Sequence, residues 1–322
     1  MLLDLSYLSY PLPPDIQRLY EAGDFARMDR VIRLRLDDPR VPEALKARLR
    51  VQTELAYEIL RAYPYTQAQM LEILQNHVKD FEEEELETLR DDGTLDWRYV
   101  NGEVRFKNNA LSALLKTRKE YAMRATVPAV MSGAKASTEQ LSAMIAKMKA
   151  NGGVRARFEL HEELTVRSDR LTEGETLRIH LPMPIVGAQV KRAELLSASH
   201  PVAFLAPEDE PQRTIYFELP YEPGMTVSAE IAYEIDAPYA QPHAREVYAE
   251  QPVFDTEELP PHVVFTPYLR ALAKEIVGDE TNALLKARKI YDFITTQAVY
   301  RFMPPYLTVP NIPEYFLSGL RG

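Results

Sequence analysis

The chain has 322 residues, enough for roughly two or three domains, and its hydrophobic content of 46% lies within the globular range. Its 38 Lys and Arg against 48 Asp and Glu give a formal net charge of -10, which excludes nucleic acid as an expected partner because a polyanion would be repelled on average. The chain has no cysteine, so these residues contain no disulfide, thiolate metal site or cysteine nucleophile.

The beginning of the sequence does not read as a secretory signal peptide. Residues 1–7 have no basic region and carry the early acidic residue Asp4. No apolar run in the chain approaches the ~20 residues that a membrane span needs. We therefore expect a cytoplasmic protein that does not bind a membrane.

Residues 13–150 predict a mostly helical region. Asp24 is a candidate N-cap, Pro42 marks the next helix start, and Pro64 should stop that helix at Tyr63. Residues 66–69, Thr-Gln-Ala-Gln, match a capping box that begins a further helix. The apolar stripes of these helices are Phe25, Met28 and Ile32; Leu45, Leu49, Leu55, Ala56, Ile59 and Leu60; and Met70, Leu74, Val78 and Phe81.

Four consecutive glutamates at 82–85 have two interpretations. They could bind a cation, but consecutive carboxylates on a helix point in different directions, and no Asp/Asn/Gly loop surrounds them. The sequence therefore favours a solvated helix face.

Residues 97–106 predict a β-hairpin. Asn101-Gly102 separates two β-prone runs, and both turn positions of such a hairpin require positive φ. The hairpin's aromatic residues are expected to pack it onto the helices, since an isolated hairpin is only marginally stable. Asn108-Asn109 should cap the next helix, and a second capping box predicts a last helix from Ser137 to Asn151, with its methionines in the core.

The period changes to two at Val154, which indicates an antiparallel β-sandwich over 154–236. The alternating runs are Val154 to Val166, Leu177 to Leu181, Ile215 to Leu219 and Val227 to Ile235. Glu162 occupies a position of the first run where the alternation would place an apolar residue, which suggests a bulge there.

A proline-rich linker and a second helical segment follow the strands. Thr266-Pro267 predicts the start of a helix that ends at Gly278, and Asp279 starts the next. The second helix is expected to face inward with Leu284, Ala287, Ile290, Tyr291 and Ile294. A proline-rich loop comes after it.

The residues themselves indicate no catalytic, cofactor-binding or metal site. No two of the six histidines have ligand spacing, and there is no HExxH motif, glycine-rich phosphate loop or GxSxG turn. The histidines are His77, His161, His180, His200, His243 and His262. His161 is expected to be an exposed strand residue, and no cofactor is predicted.

The segment from Thr266-Pro267-Tyr268 to Ser318-Gly319-Leu320-Arg321-Gly322 resembles the opening of the catalytic core of the transglutaminase-like superfamily. The strands before it, with residues 174–184 (GETLRIHLPMP) and 207–217 (PEDEPQRTIYF), are similar to the β-domain that often precedes such cores in bacterial members. The resemblance covers residues 154–322 and leaves the helical N-terminal half outside it.

The resemblance implies a bacterial-type enzyme whose sequence is cut just before the catalytic cysteine. In that family a Cys-His-Asp triad performs amide hydrolysis or acyl transfer, and a cysteine at a helix start has a stabilised thiolate. Residues 318–322 would be the turn that precedes this cysteine. No triad residue can be placed on this chain, so the fragment is expected to be catalytically inert.

The predicted fold is an α+β multidomain protein. The domains are a helical domain with a small hairpin (1–152), a β-sandwich (153–237), a proline-rich linker (238–265) and the truncated start of a transglutaminase-like, papain-like core (266–322). The predicted function is that of a scaffold and substrate-recognition region, which binds a protein or peptide substrate for a transglutaminase-like cysteine enzyme. The alternative is a non-enzymatic protein-interaction module, and a second copy covering the truncated C-terminus is a candidate homo-oligomer partner.

Overall fold

A computed structural model of the chain describes residues 4–126, 129–167, 171–247, 257–299 and 304–319, with the backbone alone described over 129–138. Within them the fold is mixed α and β, with eleven α-helices and three small antiparallel sheets. The chain divides into two compact units. Unit 1 comprises Met1–Ser132 and His243–Gly322, and unit 2 comprises Gly133–Pro242.

Most of the helices belong to unit 1. They are α1 Pro14–Glu21, α2 Phe25–Asp37, α3 Glu43–Ala62, α4 Gln67–His77, α5 Glu83–Asp91, α6 Ala110–Thr117, α7 Lys119–Arg124, α9 Pro267–Val277, α10 Ala283–Gln297 and α11 Ile312–Gly319. Short 3-10 helices lie at Leu5–Ser9, Ala244–Glu246 and Tyr306–Thr308. Helix α8, Ala129–Asn151, crosses the boundary between the units, and its residues from Gly133 onward belong to unit 2.

Two predicted helix starts are confirmed by their capping hydrogen bonds. The Asp24 side chain accepts from the Arg27 amide at the start of α2. The capping box of α4 is complete, since Thr66 Oγ1 accepts from the Gln69 amide at 3.2 Å and Gln69 Oε1 accepts from the Thr66 amide at 2.9 Å. The predicted stripes of α2 and α4 are buried.

The core of unit 1 consists of two hydrophobic clusters. One joins α4, α5, α6 and α7 and contains Leu74, Leu86 and Phe106; the other joins α1, α2 and α3 around Ile16, Met28 and Ile59.

The predicted hairpin is present as β2 Trp97–Val100 and β3 Glu103–Phe106, and its turn residues Asn101 and Gly102 have φ of 52° and 88°. A strand that the sequence did not predict, β1 Tyr65–Thr66, pairs with β3. The hairpin packs on the helices as expected, because Val100 and Phe106 are buried in the two clusters. Tyr99, by contrast, is exposed.

Unit 2 contains two three-stranded sheets, with orders β4-β9-β6 and β5-β8-β7. Their strands are β4 Gly153–Thr165, β5 Thr176–Pro182, β6 Val190–Ala198, β7 Phe204–Leu205, β8 Thr214–Pro220 and β9 Thr226–Pro238. Residues from both sheets, such as Phe217 of β8 and Ile231 of β9, form one core cluster. The bulge predicted near Glu162 is absent, since β4 pairs with β9 in an unbroken register, and the register shifts lie in β6 instead.

Three further predictions about helices are wrong. Helix α8 already runs from Ala129, so Ser137 lies inside it, and Met144 is exposed rather than in the core. Helix α10 starts after the cap Asn282, not at Asp279. Its predicted inward stripe buries no residue: Ile290, Tyr291 and Ile294 are exposed, because no described element covers that face.

The sequence-based boundaries also differ from the observed units. Residues 266–319 belong to the same unit as α1–α7, and the part of α8 from Gly133 onward belongs to the same unit as strands β4 to β9. Much of the proline-rich segment 238–265 lies outside the described residues.

Candidate functional site

The histidines take separate local roles. His161 is exposed, as predicted, and its Nε2 lies 3.8 Å from a Glu163 carboxylate oxygen. His262 Nδ1 lies 2.9 Å from the Val309 carbonyl oxygen, a contact in which the ring nitrogen donates. Across the described part of the chain, no group of three or more His, Asp or Glu side chains is arranged to hold a metal ion.

The glutamates at 82–85 do not form a site. Glu82, Glu83 and Glu84 are exposed, as predicted for a solvated helix face. Glu85 differs, because it forms a two-point ion pair with Arg124, at 2.6 Å and 3.0 Å. This arrangement holds α5 to α7 and leaves no cluster of carboxylates for a cation.

The strongest candidate for a site is a cavity of about 290 Å³ in unit 1, which we call the Arg48 cavity. It lies between the N-terminal 3-10 helix, α1, α3 and the loops near 261 and 308. Its lining residues are Leu8, Ser9, Tyr10, Pro11, Leu12, Gln17, Tyr20, Arg48, Gln52, Leu55, Pro261, His262, Leu307, Thr308 and Pro310. The volume is at the low end of the roughly 300–1,000 Å³ usual for ligand pockets.

Arg48 is the charged residue at the centre of this cavity. It is only 7% exposed. Its Nε donates to the Tyr10 carbonyl at 2.9 Å and its Nη1 donates to Gln52 Oε1 at 3.1 Å. Among the described residues no carboxylate forms an ion pair with it, although burial of an unpaired charge is costly.

Burial lowers the pKa of the Arg48 guanidinium from its usual value, and the nearby Tyr20 opposes this shift. An arginine nevertheless stays protonated at neutral pH, because its ordinary pKa is so high. The cavity therefore contains a fixed positive charge that the described protein residues do not neutralise.

Gln52 adds an unpartnered donor beside this charge. It is 1% exposed, and its Nε2 has no hydrogen-bond partner among the described protein residues. Its Oε1 is occupied by Arg48, so the amide orientation is set by that bond. A buried N–H without an acceptor is destabilising, and this donor stands next to the unneutralised cation.

The rest of the lining is apolar or neutral. No Asp or Glu is among the described lining residues, in a chain whose overall net charge is -10. Burial raises the pKa of the Tyr20 hydroxyl, so Tyr20 is a neutral donor at physiological pH. The cavity is thus a locally positive, largely apolar site on an acidic protein.

The sequence of α3 contains a signal for this site in addition to its apolar stripe. Arg48 and Gln52 are four residues apart and fall on the same face as Leu45, Leu55 and Ile59. Two polar residues within an apolar stripe predict buried polar groups. The absence of a carboxylate partner could not be predicted, because it depends on loops distant in sequence.

A second cavity, of about 560 Å³, lies beside Asp96, Trp97 and Tyr315 in unit 1. Tyr63 donates to Asp96 at 3.0 Å, and burial is the main cause that raises the pKa of Tyr63. Burial also lowers the pKa of the nearby Lys107, and the negative charge of Asp96 acts against this shift. Lys107 does not line the cavity. We interpret this group as a structural polar cluster.

A shallow groove in unit 2 is lined by Arg155, Arg157 and Lys191. Arg157 forms ion pairs with Glu159, Glu194 and Glu234 at 3.1–3.3 Å on the exposed sheet surface. Because these charges neutralise each other and are solvated, they stabilise the sheet weakly and do not define an anion site.

The C-terminal residues that carry the family resemblance are only partly described. Ser318 and Gly319 close α11 rather than forming a turn, and Ser318 Oγ donates to the Tyr315 carbonyl at 3.4 Å. Residues 320–322 lie outside the described residues. The expectation of a turn at 318–322 is therefore wrong for its first two residues.

The sequence matches no protein-family model and no curated protein, and the structure matches no solved structure. The resemblance to the transglutaminase-like superfamily stays a prediction. No helix in the described ranges is both long and apolar enough to cross a membrane.

Proposed function

We propose that this chain is the scaffold and substrate-recognition region of a transglutaminase-like cysteine enzyme that acts on amide groups of protein or peptide substrates. The sequence stretches at 174–184, 207–217 and 266–322 carry the resemblance. The catalytic triad of that family has no counterpart in these residues, which contain no cysteine. In this proposal the chain positions a substrate and a separate segment performs the chemistry.

The observation that supports the proposal best is the uncovered apolar face of α10. Ile290 and Ile294, which lie one turn apart on the same face, are 39% and 40% exposed. An amphipathic helix gains most of its stability from packing that face against a partner. The proposal assigns this face to the remainder of a catalytic core.

The native protein provides the first test. We expect its intact mass in the source cells to exceed 36.9 kDa, and we expect a thiol that iodoacetamide alkylates with loss of amidase or acyl-transfer activity. The 322-residue chain should show no such activity. A native mass of 36.9 kDa with no alkylated thiol would sink the proposal.

A substitution on α10 provides the second test. Ile290→Glu should change the stability of the 322-residue chain by less than about 0.5 kcal/mol, because the side chain already contacts water. In the longer native protein it should cost about 2 kcal/mol or more, since it would bury a charge. Leu34→Glu is the matched control, because Leu34 is an exposed leucine of α2 and should be neutral in both. Equal effects of Ile290→Glu in the two proteins would contradict the assignment of this face.

A non-enzymatic interaction module is the second candidate. It is favoured by β7, which lies at an edge of its sheet and exposes Phe204 and Leu205. Edge strands with exposed apolar side chains are common protein-docking elements. Phe204→Ser should then abolish binding of a partner that purifies with the wild-type protein, whereas Leu34→Ser should not. Retention of that partner by both variants would count against this candidate.

A further inference from the structure

The Arg48 cavity has features that point to a ligand of one chemical class. Its cation, Arg48, is nine-tenths buried and has no carboxylate partner among the described residues. The neighbouring Gln52 Nε2 donor is also unpartnered. A bound anion would neutralise the charge and add hydrogen bonds, so the same groups that are costly without a ligand favour its binding.

The shape and the walls decide which anion fits best. A guanidinium presents planar N–H donors that match the two oxygens of a carboxylate. The bonds to Tyr10 and Gln52 use Nε and one hydrogen of Nη1, so the donors for a carboxylate are the other Nη1 hydrogen and those of Nη2. The described lining supplies one guanidinium and no Lys or second Arg, which is little positive charge for a phosphate dianion but enough for a single carboxylate. Leucine and proline side chains form much of the remaining lining, beside neutral polar residues such as Ser9, Tyr20 and Thr308, and these apolar side chains favour an apolar body next to the acid group.

We infer that the Arg48 cavity binds the carboxylate of a ligand with a small apolar body, with Arg48 as the anion-binding residue. Leu12, Leu55 and Leu307 form the apolar walls. The inference concerns a binding site and does not depend on the transglutaminase-like proposal. A free small acid and the C-terminal residue of a peptide share this chemistry.

A purely structural role for Arg48 makes a different prediction. Its bond to the Tyr10 carbonyl tethers the N-terminal segment to α3, and this bond would exist without any ligand. In that case, substitutions at Arg48 would change stability but no added acid would bind. The experiment must therefore measure binding directly.

The test is titration of the full chain with hexanoate and with hexanamide, followed by calorimetry or ligand-observed NMR. Hexanamide has the same apolar body but no charge. We expect hexanoate to bind at least about tenfold more tightly than hexanamide. Arg48→Met should reduce hexanoate affinity by about tenfold or more, and Arg50→Met should leave it unchanged. Arg50 is the matched control because it lies on the same helix but does not line the cavity.

A second variant keeps the inference testable if Arg48→Met does not fold. Leu307→Trp fills the cavity while Arg48 and its hydrogen bonds remain, and the partial exposure of Leu307 allows the larger ring to be accommodated. We expect this variant to fold and to lose hexanoate binding by about tenfold or more. Three results would overturn the inference: equal binding of the two probes by the wild type, no hexanoate binding up to about 10 mM, or unchanged hexanoate binding by a folded Leu307→Trp variant.

Two peptides distinguish the sources of the carboxylate. One is an acetylated tetrapeptide ending in leucine with a free acid, and the other is the same peptide with a C-terminal amide. Tighter binding of the peptide acid than of hexanoate assigns the site to a polypeptide C-terminus. Binding of hexanoate without binding of the peptide acid assigns it to a free small acid. Both outcomes support carboxylate recognition by Arg48.

Discussion

Gly23 shows at the residue scale how one backbone position fixes the contact between a helix and a hairpin. Its φ is 70°, and a Cβ there would lie 2.1 Å from the Tyr99 carbonyl oxygen. The Gly23 carbonyl accepts from the Asn101 amide at 2.7 Å, so the close approach is also a hydrogen bond. A side chain at this position would separate the hairpin from the start of α2.

Gly23→Ala is therefore expected to destabilise unit 1 by about 3 kcal/mol or more, through positive φ and a backbone clash together. Urea unfolding followed by the fluorescence of Trp97, the single tryptophan, measures unit 1 specifically. Gly102→Ala is the control, since Gly102 has φ of 88° but open space around its Cβ position. It should cost about 1 kcal/mol, and equal losses for the two variants would refute the clash.

Glu85 predicts how the stability of unit 1 depends on pH. The hydrogen bonds from Arg124 are the main cause that lowers the pKa of this carboxyl group in the folded state. A depressed carboxyl pKa contributes stability that is present above the unfolded pKa and is lost as pH falls through the folded pKa. The contribution should therefore disappear on acidification, not on addition of base.

We expect Glu85→Gln to lower the unfolding free energy near pH 7 and to converge with the wild type as the pH falls through the folded-state pKa of Glu85. The Trp97-monitored urea transition at several pH values measures this difference. Glu83→Gln is the control, because Glu83 is exposed on the same helix. A gap between Glu85→Gln and the wild type that does not shrink with acidification would contradict the ion-pair explanation.

At the scale of elements, local capping chemistry decides where the helices begin. The capping box at Thr66 and Gln69 is complete, and the residues preceding it form β1, which joins the hairpin sheet. The same four-residue pattern at Ser137 lies inside α8, so no helix begins there. A capping box therefore predicts a helix start only where the preceding residues leave the helical conformation, as they do before Thr66.

Thr66→Ala should cost about 1 kcal/mol of unit 1 stability, because the Gln69 amide loses its acceptor. Trp97 fluorescence during urea unfolding again provides the measurement. The control is Thr88→Ala in the middle of α5, where alanine has the higher helix propensity and the change should be neutral or slightly stabilising. Similar losses for both variants would show that the effect is not capping.

At the scale of the whole molecule, residues far apart in sequence complete one unit. Val309 is buried, and His262 and Thr308 line the Arg48 cavity together with residues of α1 and α3. Unit 1 thus depends on the segment from His243 onward, while unit 2 is built from one continuous stretch.

We expect the unfolding free energy of residues 1–132 expressed alone to be at least about 2 kcal/mol lower than that of unit 1 in the full chain, because Val309 and the loops around the cavity are removed. Trp97 fluorescence reports the transition in both proteins. Residues 133–242 alone should unfold cooperatively with the circular dichroism of an antiparallel sheet. Equal stability of residues 1–132 and of the full chain's unit 1 would instead support the sequence-based division, in which 266–322 is a separate domain.

The sequence by itself determined the elements whose signals are local. The Asn101-Gly102 turn, the Thr66 and Thr266 caps and the alternating runs of β5, β8 and β9 each depend on a few adjacent residues, and each is confirmed. β6 escaped prediction because its register shifts break the alternation. β1 escaped because its two residues are too few to show a period.

Only the tertiary structure decided which faces are covered and where charge is left unneutralised. The stripe of α10 reads like that of α2, yet α2 is packed and α10 is not, because burial depends on what lies opposite. Arg48 and Gln52 could be read as polar residues on an apolar stripe. Their place on that stripe is a local signal, but their lack of a carboxylate partner follows from distant segments near 261 and 308 and has no local sequence signal.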